Sequence, residues 1–306
     1  MRSVTFKIDF VSKRKIYFTI SIILMVLAIG SLLLQGLNLG IDFVSGSRLD
    51  IKFEKQVNLE KSRQVLENLG YKNPNARVGG PNQDILIFRV DKEISQPEKA
   101  KIIQKFNEAF KQKVSMQEQV VDPIIGRELA KNAIISVLIA SAVIILYVTV
   151  RFEYRFAVAA IIALFHDALF TVGMFSILRL EVDIVFIAAV LTIIGYSIND
   201  TIVIFDRIRE NMKRVKPTKW EELSKVVNES LLQTLTRSIN TVLTVAFAAL
   251  ALFLLGGESI RNFSLALLLG LLSGAYSSIF LASQIWVGWK WRSLQKEKNR
   301  DQVVTE

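Results

Sequence analysis

Apolar residues are concentrated in six blocks of roughly twenty residues, and polar residues fall between the blocks. A helix needs about 20 apolar residues to cross the roughly 30 Å hydrocarbon core of a bilayer. The first block is longer than the roughly 7–15 residues of a signal-peptide core, so we expect an uncleaved anchor. The pattern predicts an α-helical polytopic membrane protein with six spans, over Ile16–Leu37, Leu129–Val150, Phe156–Leu178, Ile184–Phe205, Leu231–Leu255 and Phe263–Trp289.

The segment between the first two spans, residues 38–128, alternates between strand and helix patterns. Period-two alternation predicts strands, and a 3.6-residue period predicts amphipathic helices. The resulting order, β-α-β-β-α-β, is the ferredoxin-like arrangement, so we expect an α+β domain that makes contacts outside the membrane. In chain order the predicted elements are a strand at Ser47–Phe53, a helix at Leu59–Leu69, strands at Ala76–Val78 and Asp84–Val90 around the Gly79–Asn82 turn, a helix at Pro97–Lys113 and a strand at Val114–Val121.

Positive charge is segregated along this chain, whose formal net charge is +10. The two short loops on one side carry only Arg179 and Arg261 as basic residues. By the positive-inside rule, both termini are expected in the cytoplasm and residues 38–128 outside. The distribution of basic residues follows the membrane topology, so it does not indicate a nucleic-acid-binding surface. Lys and Arg crowd the cytoplasmic segments 1–15, 151–155, 206–230 and 290–306.

Two further helical patterns are not explained by the distribution of charge. Thr218 and Glu221 have the spacing of a capping box, and apolar residues then recur at helical spacing from Trp220 to Leu231. This pattern fits a short helix on the membrane surface with Trp220 at headgroup level, or an ordinary connecting helix. In the last span a stripe of small residues predicts close helix packing, with a sliding surface as the alternative. The stripe consists of Gly270, Gly274, Ser278 and Ala282.

Three charged residues, Asp167, Asp200 and Arg237, fall inside predicted spans. A charge near the bilayer centre costs about 2.5–3.5 kcal/mol on insertion scales, so such residues usually have a partner or a function. Asp200 and Arg237 each lie about six residues from the cytoplasmic end of a span, which at about 1.5 Å per residue places both about 9 Å deep. They are therefore matched in depth and could pair.

Polar residues accompany these charges at helical spacing. Such stripes are expected to face the bundle interior or a wet cavity. A static ion pair that fixes helix register and a proton path through Asp200 both fit, and His166 beside Asp167 fits either a relay or a satisfied core histidine. The stripes are Thr192, Tyr196, Asn199 and Asp200 on the fourth span, and Gln233, Arg237, Asn240, Thr241 and Thr244 on the fifth.

Absent motifs narrow the possible energy source. The chain contains neither the P-loop pattern G-x-x-x-x-G-K-[ST] nor H-E-x-x-H, and it has one histidine and no cysteine. We therefore expect no ATP binding through a P-loop, no metal site and no cofactor. The composition favours an ion gradient as the energy source.

Several runs of residues carry a resemblance to one family. They are Gly40–Phe43, Asp122–Gly126, His166–Asp167, Gly195–Thr201 continuing into Asp206–Asn211, and Gln233–Arg237. With these runs the chain resembles the SecF branch of the SecD/SecF protein-export family, in the resistance-nodulation-division (RND) superfamily. One departure is Ser45 before Gly46, where the family often carries two glycines.

The resemblance implies one half of an RND-type transporter in a bacterial plasma (inner) membrane, with SecD as the other half. The pair would work beside the SecYEG channel, with SecA and in some cases YidC or YajC. It would use the proton motive force to promote preprotein export. The family's intramembrane aspartate and arginine correspond to Asp200 and Arg237, with Asn199, Asp167, His166, Tyr196 and Thr241 in support. The implied partners are these proteins, the preprotein and membrane lipid, and no nucleic acid.

Two other functions fit parts of the pattern. Asp167 and Asp200 on consecutive spans could form an intramembrane aspartyl protease. Against this, the two acids differ by about 7 Å in depth at the helical rise, and Arg237 would hold Asp200 charged. A homodimer of six-span halves could instead export small molecules. Co-purification with a SecD-like chain or with a second copy distinguishes the last alternative from the translocase reading.

Overall fold

The computed structural model describes residues 9–72, 74–80 and 82–304, with the side chains of Asn75 and residues 297–304 left out. Pro81 of the predicted turn, residues 1–8 of the predicted cytoplasmic N-terminus and residues 305–306 of the predicted tail lie outside this description. In chain order the elements are α1 (Arg14–Gln35), β1 (Asn38–Leu39), α2 (Ile41–Val44), β2 (Gly46–Lys52), α3 (Leu59–Asn68), β3 (Asn75–Gly79), β4 (Ile85–Val90), α4 (Gln96–Phe110), β5 (Ser115–Val121), α5 (Pro123–Arg151), α6 (Tyr154–Ile177), β6 (Glu181–Val182), α7 (Ile184–Val215), α8 (Trp220–Leu255), α9 (Glu258–Ser277), a π-helical turn (Ser278–Ala282) and α10 (Ser283–Val304).

Within the described residues, six helical segments are long and apolar enough to cross a membrane. They coincide with the six apolar blocks, which confirms the prediction of a polytopic α-helical protein. The first helix ends at Gln35 rather than Leu37, because Gly36 leaves the helical region at φ 63°. The segments are Arg14–Gln35, Pro123–Arg151, Tyr154–Ile177, Ile184–Val215, Trp220–Leu255 and Glu258–Lys296.

The predicted separate helix in the basic loop is wrong. The helix α7 continues to Val215, and α8 is one uninterrupted helix of 36 residues that begins at Trp220. The physical reason is that α8 contains neither Gly nor Pro, so its polar first turns and its apolar remainder propagate as one helix. Only residues 216–219, with Pro217 among them, separate α7 from α8.

The N-terminal cap of α8 also differs from the prediction by one residue. The carboxylate of Glu222, and not that of Glu221, accepts hydrogen bonds from the backbone N–H groups of Thr218 at 2.9 Å and Lys219 at 3.4 Å. The N-cap residue is Lys219, so its N3 position is Glu222. The cap therefore satisfies amide groups that the first helical turn leaves unpaired.

The helices α6, α7 and α9 form the centre of the bundle, and α1, α5 and α8 lie around them. Glycine allows the central helices to approach closely. A Cβ at Gly270 of α9 would lie 2.2 Å from Ile193 Cδ1 of α7, and one at Gly274 would lie 3.2 Å from Ser197 Cβ. Close packing at these two stripe positions is confirmed, and the sliding surface stays a prediction.

Residues Gly46–Val121 form an α/β domain between α1 and α5. Its antiparallel sheet has the order β3-β4-β2-β5, with α3 and α4 packed against it, and this is the predicted ferredoxin-like fold. Asp122 joins the domain to α5 as its N-cap, accepting a hydrogen bond from the Ile124 amide at 2.7 Å. The buried core of the domain includes Leu49, Ile51, Phe53, Leu66, Leu86, Phe88, Ile102 and Phe106.

Candidate functional site

Asp200 is a buried carboxylate on α7, 8% exposed, at the contact with α8. Its Oδ1 accepts a hydrogen bond from the Ser238 hydroxyl of α8 at 2.5 Å. Its Oδ2 is buried and has no hydrogen-bond partner within the described part of the chain. Leaving a buried polar atom unsatisfied costs about 1–3 kcal/mol, and more for a charged group. This oxygen therefore lacks the hydrogen bond that Oδ1 receives from Ser238.

The structure does not bring Arg237 into the predicted contact with Asp200. The helix α8 instead presents the neighbouring Ser238 to the carboxylate, and Arg237 lies on the exposed side of the helix. Successive helical residues are rotated by about 100°, so only one of the two can face α7. Arg237 remains within electrostatic range of Asp200. The contact of Ser238 with Asp200 brings Arg237 near the level of Asp200 along the bundle, but direct pairing does not occur in this conformation.

The polar stripes of α7 and α8 lie on the outside of the bundle, beside Asp200. Tyr196 and Asn199 of α7 are exposed, and Thr241 of α8 is half-buried. A cleft of about 10 Å³ lies between α7, α8 and α9, and its lining includes Tyr196, Ser197, Asp200 and Thr241. That volume is at the lower limit for a single water molecule, so the cleft holds at most about one water beside Asp200. The other stripe residues that the structure exposes are Gln233, Arg237, Asn240 and Thr244.

Asp167 of α6 lies in a cage of serine hydroxyls and is fully buried. Its Oδ1 accepts a hydrogen bond from Ser273 at 2.6 Å, and its Oδ2 accepts from Ser197 and Ser277, each at 2.6 Å. Hydrogen bonds to an ionised acceptor are short and strong, and three of them compensate much of the desolvation of a carboxylate. Asp167 therefore ties α6 to α7 and α9 at the centre of the bundle.

His166 extends this cage. Its Nδ1 lies 3.2 Å from Asp167 Oδ1, so the predicted neighbourhood of the two residues is present. Its Nε2 is buried and has no hydrogen-bond partner among the described residues. Ser197 is the link to the other acid, because it donates to Asp167 and precedes Asp200 by one helical turn on α7.

A second cluster of charges joins the α/β domain to the bundle. Glu181 of β6 is 2% exposed, and its carboxylate accepts hydrogen bonds from Arg77 at 2.9 Å and Arg89 at 3.4 Å, with Arg48 at 4.0 Å. Burial lowers the pKa of the Arg89 guanidinium, although Glu181 opposes that effect. We call this cluster of Glu181 and its three arginines the arginine clasp. Sequence reasoning missed it, because its members come from four separate strands.

Glu258 strengthens the same junction from the first turn of α9. Its carboxylate accepts a hydrogen bond from the Gly80 amide at 2.9 Å and pairs with Arg77 at 3.4 Å. A built Cβ at Gly79 would lie 2.8 Å from Glu258 Oε1, so the glycine pair of the β3–β4 turn allows this approach. The turn thus rests directly on the membrane helices.

The Gly40–Phe43 motif couples the exit of α1 to the start of α7. Asp42 is buried, and its Oδ2 accepts a hydrogen bond from the Ile184 amide at 3.0 Å. A Cβ at Gly40 would lie 3.0 Å from Glu181 Oε1, so a larger residue would crowd the arginine clasp. The helix that carries Asp200 is therefore capped, at its other end, by residues next to the α/β domain.

Ser45 occupies a backbone conformation that suits glycine, with φ 63° and ψ 176°. Gly46 follows at φ 109°, and a Cβ there would lie 2.2 Å from the Val90 carbonyl oxygen. The region that Ser45 adopts is essentially restricted to glycine and costs about 1–3 kcal/mol for another residue. The backbone of this turn therefore carries strain at the serine.

We expect Ser45→Gly to stabilise the protein by about 1 kcal/mol, because relief of this strain exceeds the added chain entropy of glycine. The melting temperature of the purified protein in detergent measures the effect. Ser47→Gly is the matched control, since Ser47 lies buried in β2 and glycine weakens a strand. A melting temperature for Ser45→Gly that equals or falls below the wild-type value would contradict the expectation.

Comparison with known proteins places these features in one family. The family model described as "Protein export membrane protein SecD/SecF, C-terminal" matches residues 82–292, and the "SecD/SecF GG Motif" matches residues 30–57, which include Ser45 and Gly46. The protein translocase subunit SecF of Alicyclobacillus acidocaldarius is 43% identical over 301 residues, covering 97% of this chain and 98% of that protein.

Longer relatives match as well. The protein translocase subunit SecDF of Bacillus subtilis is 49% identical over 293 residues, which are 95% of this chain and 39% of that protein. The crystal structure of SecDF, a translocon-associated membrane protein from Thermus thermophilus, superposes with a TM-score of 0.84 at 37% identity, covering 95% of this chain and 40% of that one. The chain thus spans about two fifths of these SecDF relatives and nearly all of SecF. The chain belongs to the SecD/SecF family of protein-export membrane proteins.

Proposed function

We propose that this multi-pass membrane protein is the SecF-type subunit of a Sec protein translocase and uses a proton gradient to promote preprotein export. The names of its relatives and its likeness to a translocon-associated structure support the translocase role. The buried Asp200, with one carboxylate oxygen unsatisfied beneath an exposed polar stripe, carries the proton-driven part.

The polar stripe also supports a partner of the SecD type. Polar side chains at membrane depth are unfavourable against lipid and are found facing protein or water. On the single chain, Asn199, Arg237 and Asn240 are exposed, so a second helical half has to cover them. The relatives named SecDF extend well beyond this chain, in keeping with a second half there.

The proposed setting follows from charge and family. The basic segments and the positive-inside rule support an arrangement in which both termini lie in the cytoplasm of a bacterium and the α/β domain lies outside its inner membrane. There the domain would contact the emerging preprotein, beside SecYEG with SecA and, in some assemblies, YidC or YajC. Movement of one charge across the membrane potential supplies about 2.3 kcal/mol per 100 mV, so a few protons provide useful conformational work.

In the proposed cycle, Asp200 takes up and releases a proton at its free oxygen. Arg237, one residue from the Ser238 donor, favours the ionised state when α8 rotates it toward Asp200, and Tyr196, Asn199 and Thr241 line the approach. Asp167 and His166 act through Ser197, which connects the serine cage to the cleft beside Asp200. Because Asp42 caps the far end of α7, a shift of this helix reaches the α/β domain.

Two alternative functions find less support. An aspartyl protease needs two carboxylates that share a catalytic water, but both oxygens of Asp167 are occupied by serine hydroxyls. A homodimeric small-molecule exporter would cover the polar stripe with a second copy, and no relative reported above bears such a name. Neither alternative explains the α/β domain as well as the translocase does.

Cysteine cross-linking tests the proposed partner surface, and the chain's lack of native cysteine removes any background. We expect Asn240→Cys to cross-link to a SecD-type chain from the same organism in co-expressing membranes, because Asn240 lies on the exposed polar stripe of α8. Leu34→Cys, on the lipid-facing surface of α1 and 90% exposed, is the control and should give no such product. Cross-links between two copies of this chain, with none to SecD, would instead favour the homodimer.

A further inference from the structure

A cavity of about 920 Å³ lies at the end of the bundle opposite the α/β domain. It is bounded by the first turns of α1 and α6 and by α10. It is far from Asp200 and from the arginine clasp in the fold, and the proposed proton path does not use it. Its lining residues include Arg14, Phe18, Arg155, Gly288, Trp289 and Arg292.

The cavity is strongly basic. Four of its lining residues are Lys or Arg, and none is Asp or Glu. Arg155 is held in place by Glu153 and by a hydrogen bond from its Nη2 to Ser293 at 2.8 Å, while its Nε is buried without a hydrogen-bond partner in the described structure. The guanidinium of Arg14 lies 4.5 Å from the centre of the Trp220 ring. Among the described side chains, no carboxylate forms an ion pair with Arg14 or Arg292, and both residues line the cavity.

Aromatic residues place this cavity at a membrane–water interface. All four tryptophans of the chain lie at this end of the bundle, and Trp289 packs edge-to-face on Tyr154 at 5.7 Å. Tryptophan and tyrosine concentrate at headgroup level in membrane proteins. From here the outer surface of α1 continues into the membrane as apolar side chains, with Ile22 62% and Val26 63% exposed.

Gly288 keeps the cavity open in front of Arg14. A Cβ built on Gly288 would meet only Arg14 Nη1, at 4.0 Å. A long side chain at this position would therefore occupy the space beside the guanidinium, without a clash with the backbone. This position offers a way to block the cavity without changing its charge.

We propose that this cavity binds the headgroup of an anionic phospholipid. Its phosphate lies between Arg14, Arg155 and Arg292, and its acyl chains follow the apolar surface of α1. Basic pockets between membrane helices on the cytoplasmic side suit such headgroups, and each basic residue near an anionic surface contributes about 1 kcal/mol. A soluble anion would lack the apolar surface, and a zwitterionic lipid would not use the uncompensated charge.

Native mass spectrometry of the purified full chain in detergent, titrated with phosphatidylglycerol or with phosphatidylcholine of the same acyl chains, tests this site. We expect the wild-type protein to bind phosphatidylglycerol more tightly. The double variant Arg14→Gln/Arg292→Gln should weaken this binding about 25-fold, or about fivefold for each removed charge. The control Lys213→Gln/Lys225→Gln removes two charges from the α7 end and α8, outside the cavity, and should change affinity less than about twofold.

Gly288→Leu supplies an independent test, because it occupies the space beside the Arg14 guanidinium and keeps every charge. It should also lose the preference for phosphatidylglycerol, and it decides the question if the arginine variant does not fold. The proposal is overturned by equal binding of the two lipids, by unchanged affinity in the cavity variants, or by an equal loss in the lysine control. Displacement of phosphatidylglycerol by excess inorganic phosphate would assign the cavity to a soluble anion and likewise overturn it.

Discussion

Asp200→Asn is expected to abolish proton flux and proton-dependent stimulation of export, while the protein stays folded and assembled with its partner. Asparagine has nearly the same shape as aspartate, and its amide oxygen can keep the hydrogen bond from Ser238. It cannot take up or release a proton. The change therefore removes the titratable group that the proposed cycle requires and leaves the α7–α8 packing in place.

The measurement is proton influx into proteoliposomes that contain this chain and a SecD-type partner, under an imposed potential and with a pH-sensitive dye inside. Flux through the variant should fall to the level of protein-free vesicles. Asp206→Asn is the matched control, because Asp206 lies on the same helix, further along it than Asp200, and forms exposed ion pairs with Arg151 and Arg209. Undiminished flux in Asp200→Asn would remove Asp200 from the path. Loss of flux in both variants would show a general defect.

For the Asp200 site, the position of a side chain along its helix could be predicted from the sequence, but its rotation about the helix axis could not. The number of residues from a span's end fixes a side chain's position along the helix, so sequence alone placed Asp200 and Arg237 at similar depth. Rotation about the axis depends on how α8 packs on α7. In the structure that packing turns Ser238, the neighbour of Arg237, toward the carboxylate. A difference of one residue is about 100° and decides which group makes the contact.

The serine cage around Asp167 could not be predicted from the sequence, for a different reason. Its donors are 30, 106 and 110 residues away along the chain. Serine is common in packed membrane helices, where it allows close approach, so a serine carries little information about its partner. One usable signal was the i, i+4 pair Ser273 and Ser277, which lies on one face of the last span.

The fold itself was largely predictable. Apolar length determines the spans, and the alternation in residues 46–121 determines the sheet, because both patterns describe what each segment has to bury. The ends of the helices were harder to predict from the sequence. Hydropathy marks where a helix leaves the membrane and not where it stops, so α7 and α8 extend beyond their apolar blocks. Polar residues that form good helices carry them onward.

Glu181→Gln is expected to lower the free energy of opening the junction between the α/β domain and the bundle by about 3 kcal/mol. Removing one partner of a buried ion pair leaves the other charges uncompensated. Glutamine conserves the volume and some hydrogen bonding, but Arg77 and Arg89 would lose the charge that compensates their burial. Local opening of the junction should increase about a hundredfold. Glu60→Gln is the control, because its ion pair with Arg63 is exposed and contributes about 0–1 kcal/mol.

Hydrogen exchange at the β1–β6 junction measures this opening. The Gly40 amide donates to the Val182 carbonyl at 2.7 Å and should exchange about a hundredfold faster in Glu181→Gln, with protection in the core of α7 unchanged. Unchanged exchange at Gly40 would contradict the role of the clasp. Since Asp200 is untouched, proton flux should persist while export stimulation falls, because movement of α7 no longer reaches the domain. If export remained at the wild-type level despite faster exchange, rigid docking of the domain would not be part of the coupling.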